Sequence, residues 1–165
     1  MSKKNEKLQV ILNNLIALTK EIQNIMNEEN EEKIKNYIVS PDALAAITIL
    51  LEAGTESEEG KIAIGEVIRN RIKKGRFGKS VAHVVFAPFQ FSCWNTNDKN
   101  KDDAMNMTDD DPRYVSCLSA WVKSEITNLT KGATLYYNPA IVAKPAWAKP
   151  GMFLAKIGNH LFYKE

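Results

Sequence analysis

Two cysteines, Cys93 and Cys117, are all the sulfur cross-linking this chain could have in 165 residues. Two make neither a disulfide framework nor a zinc-type ligand set; no metal or organic cofactor is implied by the sequence. They could pair if close, but a cytoplasmic origin favours reduced thiols. The sequence also lacks any run of about 18 apolar residues, so no transmembrane helix is expected. Its N-terminus is basic, but Asn, Gln, Lys and Glu interrupt the apolar residues there. That excludes the apolar run and small-residue cleavage site of a signal peptide. The expectation is a chain made in the cytoplasm, without classical export. Net charge is scarce too: +2 is too little to argue for a nucleic-acid partner.

What is present is an ordinary core-forming composition, 44% hydrophobic and 25% charged, enough for one domain with an appendage. The charge is unevenly spread. Asp98 to Asp111 holds six aspartates against two lysines, and Lys131 to Glu165 holds five lysines and one acid. A basic, aromatic-rich C-terminal third suits an acidic polymer as partner; a solvated lysine surface explains the same charges.

Residues 1–36 contain no Gly or Pro, and six lysines balance six glutamates. Leu8, Ile11, Leu15, Leu18, Ile22 and Ile25 alternate in spacings of three and four, an a/d seam about three heptads long. The spacing predicts one amphipathic helix. It either pairs as a homodimer, binds a partner protein, or docks on its own chain. The predicted division is therefore 1–36, a heptad helix, and 37–165, the main domain.

That domain is organised around Leu50 to Gly60. Ser40 is a good N-cap, Pro41 suits the first helical position, and Asp42 favours the positive helix end. Ala43, Leu44, Ile47, Leu50 and Leu51 give the helix 40–53 its core face. Glu52 then falls in the last turn, just before Gly54. The negative helix end and apolar neighbours both disfavour an ionised carboxylate there. A carboxyl kept protonated can donate a proton to a leaving oxygen, as glycosidic cleavage requires. Pointing into water is the alternative for Glu52. Glu56, four residues on but across Gly54, is the candidate second carboxylate.

A second helix is predicted over 59–74, with Ala63 and Gly65 permitting close approach and Arg69 to Arg76 suiting its C-terminal end and solubility. Ser80 caps a short helix through Phe86. In Phe89 to Trp94, aromatics alternate with Gln90 and Ser92. Sugar rings lie on aromatic faces, and their hydroxyls and acetamido groups bond to such polar side chains. Gln90, Ser92 and Trp94 are therefore candidate sugar contacts, with Phe89 and Phe91 partly buried. Asn95 to Asp111 does not fit an EF-hand and reads as a surface loop. A third helix is predicted over 112–128, with Tyr114, Val115, Leu118, Trp121, Val122 and Ile126 inward. Tyr136-Tyr137-Asn138-Pro139 reads as extended chain, and Ala155 to Tyr163 as a two-stranded ribbon turning at Gly158-Asn159. His160 reads as structural.

Three blocks, in order, resemble SleB-type cell-wall hydrolases, the spore cortex-lytic enzyme family. The first is Glu52-Ala53-Gly54-Thr55-Glu56 with Glu59-Gly60 and the helix ending Arg69-Asn70-Arg71. The second is Phe89 to Trp94. The third is Gly132 to Pro139 with Trp147 and Ile157 to Tyr163. The resemblance implies an α+β, mainly helical, lysozyme-like or lytic-transglycosylase-like fold with a small antiparallel β element. It implies peptidoglycan as substrate and cleavage of the β-1,4 bond between N-acetylmuramic acid and N-acetylglucosamine. Glu52 would be the catalytic acid, and Glu56, Gln90, Ser92, Trp94, Tyr137, Asn138 and Trp147 would meet substrate. Tyr137, Trp94 and Trp147 would line or flank the groove. Lytic transglycosylation is the favoured outcome; hydrolysis by water, with carboxylates ~5–9.5 Å apart, is the alternative. A non-catalytic wall-binding protein on the same fold is the reading from another class. The spore enzymes are exported and carry a separate wall-binding domain. Neither is legible here, which fits a phage-type endolysin or virion-associated lysin made in a host cytoplasm.

Overall fold

A computed structural model describes Leu18 and residues 40–165, apart from 89, 95–100, 102 and 105. The heptad seam predicted over 1–36, Leu18 excepted, therefore lies outside the described residues, as does Phe89. Ser40–Glu165 is one compact unit.

Its first helix, α1, spans Pro41–Ala53, with the Ser40 hydroxyl accepting from the Ala43 N–H at 3.2 Å. The second, α2, spans Glu58–Lys74; Ser57 caps its start, and Gly75 ends it in the left-handed region at φ 71°. A short α3, Val81–Val85, follows behind the Ser80 cap. The helix α4, Pro112–Lys123, is capped by Asp111, which accepts from the Arg113 N–H at 2.8 Å. α1, α2 and α4 pack on one another around Ile49, Ile64, Val67, Ile68, Cys117 and Trp121. The Trp121 indole N–H donates to Asp42 at 2.6 Å, fastening α4 to the start of α1. A Cβ on Gly65 would lie 2.9 Å from the Ser124 side chain, so glycine is what lets the end of α4 approach α2.

α4 is shorter than the predicted 112–128. Buried Cys117, Ala120 and Trp121 set its inward face, and Val115 and Val122 fall towards the opposite side of the helix, exposed. Ile126, beyond the helix end, is 88% exposed. The apolar stripe is therefore wider than the face the core can cover.

The predicted two-stranded ribbon is part of a three-stranded antiparallel sheet, order β1-β3-β2, from β1 Leu135–Tyr137, β2 Phe153–Ile157 and β3 His160–Tyr163. Tyr136 pairs with Phe162, and Tyr137 with Leu161. Paired residues share a face. One face, with Tyr136, His160 and Phe162, turns to the helices. The other, with Leu135, Tyr137, Leu161 and Tyr163, forms a small core of its own under Trp147 and Ala148. β1 and β2 both run antiparallel to β3, so the connection between them crosses this outer face.

The arginines of α2 do more than balance the helix end. Arg71 is buried: its Nε donates to the Thr134 carbonyl at 2.8 Å and its Nη1 to the Gln90 carbonyl at 3.4 Å. Asn70 donates to the Ala133 carbonyl at 2.9 Å. Arg69 lies 3.7 Å over the Trp121 ring and donates to Ser124 Oγ. Buried Glu66 accepts from the Leu129 and Thr130 N–H groups, both at 2.8 Å. This polar row of α2 fixes the chain leading into β1, and so sets where Tyr136 falls.

Candidate active site

Glu52 is the second-last residue of α1 and is half-buried. It lines a cleft of about 370 Å³ with Leu51, Thr55, Asp103, Met107 and Arg113. Asp103 and Met107 belong to the stretch read as a surface loop. Buried Ala104 and half-buried Met107 instead close one wall of the cleft, because apolar side chains in that stretch turn inward.

Tyr136 reaches Glu52 from the sheet. Its hydroxyl donates to Glu52 Oε2 at 2.8 Å. Burial holds the Tyr136 phenol well above its ordinary pKa, and the negative charge of Glu52 pushes the same way. The phenol therefore stays a donor. Glu52 Oε1 is buried and has no hydrogen-bond partner among the described residues. With Oε2 already accepting, a proton on this carboxyl belongs on Oε1. A buried acceptor left without a partner costs about 1–3 kcal/mol. Such an atom, at a cleft, is an opening for a ligand hydrogen bond.

Tyr136 is itself held in place. Its ring stacks on Phe162 at 5.9 Å, and His160 meets it edge-on at 5.5 Å. Behind it, Arg71 lies 4.9 Å from the Phe91 ring centre. Burial pulls the Arg71 guanidinium below its ordinary pKa, and electrostatic interaction with Tyr136, Glu52 and Glu165 opposes that. The site thus has a buried cation on the sheet side of its carboxylate.

Glu56 takes a different place from Glu52. Its side chain is 7% exposed. Oε1 accepts from the Asn159 side-chain amide at 2.8 Å, and Oε2 from the Asn159 backbone N–H at 3.3 Å. Gly158, at the β2–β3 turn with φ 55°, packs so closely that a Cβ would sit 2.1 Å from Glu56 Oε2. Gly60 is equally constrained, with a Cβ there 2.7 Å from Glu56 Cβ. Glu56 is a wedge between the start of α2 and the hairpin turn, and both oxygens are committed. His160 Nδ1 lies 3.6 Å from Glu56 Oε1. Burial lowers the His160 pKa, while the charges of Glu56 and Glu52 partly offset it.

The other sequence candidates divide into two groups. Trp94 donates its indole N–H to Thr48 Oγ1 at 3.1 Å, and Thr48 lies one helical turn before Glu52 on α1. Gln90 is half-buried, and Ser92 is exposed beside Trp94. Phe91, expected to be partly buried, is fully buried. Tyr137 and Trp147 meet edge-on at 5.8 Å on the outer face of the sheet, opposite to Tyr136 and Glu52. Asn138, next in the chain, turns the loop: its Oδ1 accepts from the Ala140 N–H at 2.9 Å. Sequence reasoning passed over Tyr136, Arg71 as a buried group, and the cleft residues Thr55, Asp103 and Arg113. The Tyr136-Tyr137 pair carried the signal, since strand alternation lets only one of them face the helices. Among the described residues, no group of three or more His, Cys, Asp or Glu side chains is placed to hold a metal ion.

Residues 55–163 match the profile of the cell wall hydrolase family. Glu52 lies three residues before the matched span. The chain is 32% identical over 123 residues to a spore cortex-lytic enzyme of Bacillus subtilis, covering 72% of this chain and 36% of that protein. It is 29% identical over 141 residues to one from Halalkalibacterium halodurans, covering 82% and 39%. The chain thus spans well under half the length of these relatives. Among solved structures, it resembles the catalytic domain of the Bacillus cereus SleB protein, with a TM-score of 0.61, 26% identity, and 75% and 89% of the two chains covered. The catalytic domain of a germination-specific lytic transglycosylase, SleB from Bacillus anthracis, gives a TM-score of 0.61 at 25% identity, covering 75% and 93%.

Proposed function

We propose, from the premise that this chain belongs to the cell wall hydrolase family, that it cleaves the β-1,4 bond between N-acetylmuramic acid and N-acetylglucosamine in peptidoglycan as a lytic transglycosylase. The observation that carries the reading is Glu52: one oxygen held by Tyr136, the other buried at a cleft without a partner among the described residues. Glu52 protonates the leaving glycosidic oxygen from Oε1 and becomes a carboxylate. It then takes the proton of the muramic 6-hydroxyl as that oxygen attacks C1, giving a 1,6-anhydro product and restoring the acid. Tyr136 donates to the carboxylate through both steps. Trp94, Ser92 and Gln90 are the proposed sugar contacts near α1. Transglycosylation is preferred because Asn159 occupies both oxygens of Glu56, the candidate second carboxylate.

Hydrolysis by water is the second reading, and Asp103 on the cleft wall favours it. In the biological setting proposed, the chain is a phage-type endolysin or virion-associated lysin, made in a host cytoplasm and acting on the wall. The test is digestion of purified peptidoglycan with mass analysis of the muropeptides. Anhydro ends are expected, and Glu52→Gln should release them at least about a hundred-fold more slowly. Reducing ends would select hydrolysis. Near wild-type release by a folded Gln variant would remove Glu52 as the acid, and no release by the wild type would leave the wall-binding reading.

A further inference from the structure

The connection from β1 to β2 has an outward side that the reaction does not use. It crosses the outer face of the sheet, away from Glu52, and is pinned at both ends. Asn138 accepts from the Ala140 and Val142 N–H groups, both at 2.9 Å, and the Ala148 N–H bonds to the Pro145 carbonyl at 3.0 Å. Trp147 anchors it beneath, edge-on to Tyr163 at 5.6 Å. Between these anchors Ile141 is 80% exposed and Val142 50% exposed. The register pairs Phe153 with Tyr163 and Lys156 with Leu161, placing both on the same outer face, and Phe153 is 46% exposed.

The charge here has one sign. No Asp or Glu occurs from Ile126 to Lys164, where there are five lysines. All five are exposed, and none forms an ion pair among the described residues. The acid that follows, Glu165, is paired with Lys74 and Arg76.

We propose that this face docks peripherally on an anionic lipid bilayer, with the Ile141–Val142 tip entering the headgroup boundary and Lys144, Lys149 and Lys156 meeting lipid phosphates. A soluble polyanion would satisfy the lysines but leave Ile141 and Val142 in water. A bilayer takes both, the apolar tip into its interfacial zone and the lysines at its charged surface. The tip is already ordered by its turn bonds, so docking requires little further ordering of the backbone. The cleft lies on the other side of the sheet and stays open.

The test is co-sedimentation of the full chain with vesicles of phosphatidylcholine alone, or of phosphatidylcholine with phosphatidylglycerol. Binding to the anionic vesicles only, weakened by salt, is expected. Ile141→Asp with Val142→Asp should lower the partition coefficient about ten-fold or more. Lys144→Glu with Lys149→Glu should lower it and flatten the salt dependence. The melting temperature of each variant, compared with wild type, shows that the fold is kept. Muropeptide release from lipid-free peptidoglycan should be unchanged in the tip variant, which keeps this result separate from the chemistry of Glu52. The proposal is overturned by no vesicle binding, by equal binding to neutral vesicles, or by variants that bind like wild type, which would assign binding to another part of the chain. Slower cutting of lipid-free wall by a folded tip variant would also overturn it, because the tip would then serve the substrate.

Discussion

Replacing Tyr136 with Phe tests the site at its least redundant contact. The change removes one oxygen and keeps the ring, so stacking on Phe162 and the edge contact with His160 survive. What is lost is the 2.8 Å hydrogen bond to Glu52 Oε2. A hydrogen bond to a charged group is worth about 1.5–3 kcal/mol net. If that bond orients the carboxyl for proton delivery, its loss lowers kcat roughly ten- to a hundred-fold, since each 1.4 kcal/mol is a factor of ten. KM should change little, because the phenol is directed to Glu52 and the effect falls on the step that follows binding. The assay is initial-rate release of soluble muropeptides from purified peptidoglycan, with melting temperature measured in parallel. A folded Phe variant with wild-type kcat would refute the orienting role of Tyr136. A raised KM at constant kcat would make the phenol a substrate contact instead.

Gly158→Ala should lower the melting temperature markedly, because the added carbon would sit 2.1 Å from Glu56 Oε2 at a residue with φ 55°; a thermal melt matching wild type would remove the wedge role given to Glu56. Burial depresses the His160 pKa, so in acid the unfolded chain takes up this proton before the folded one does. Stability from this group is therefore full above its ordinary pKa of about 6.5 and is lost as pH falls below that value. Denaturant melts between pH 7.5 and 5 should show that loss, and His160→Gln should reduce it; identical slopes would put the dependence elsewhere. Trp147→Ala should cost about 2–4 kcal/mol of stability, somewhat below a full core truncation because the ring is half-buried, and leave the cutting rate per folded molecule near wild type. A slower rate at unchanged melting temperature would return Trp147 to the sugar groove. A chain beginning at Tyr37 should fold and still cut peptidoglycan, with light scattering of both forms reporting self-association through residues 1–36; insoluble or inactive protein would refute the boundary.

Local chemistry in the sequence determined where the helices start and where α2 ends. Ser40, Ser57, Ser80 and Asp111 are caps because their oxygens can accept an unpaired N–H within a few residues, and Gly75 ends α2 because it tolerates positive φ. Glu52 stood out on the same local ground, as a carboxylate in the last turn of an apolar helix. The helical spacing of Ile64, Val67 and Ile68 likewise gives α2 its buried side. Tertiary structure decided whatever depended on a partner far along the chain. Tyr136 and Tyr137 are equivalent in sequence; pairing with Phe162 and Leu161 sent one to Glu52 and the other to the outer face. Glu56 looked like a second acid until Gly158 and Asn159, about a hundred residues on, closed around it. Arg71 looked like a solvated helix end until the strand entry at Thr134 covered it. Val115 and Val122 fitted an inward stripe, but Cys117, Ala120 and Trp121 face the core and the two valines fall towards the other side of the helix. Periodicity states which residues can share a face, while the width of the surface they meet decides which of them are buried.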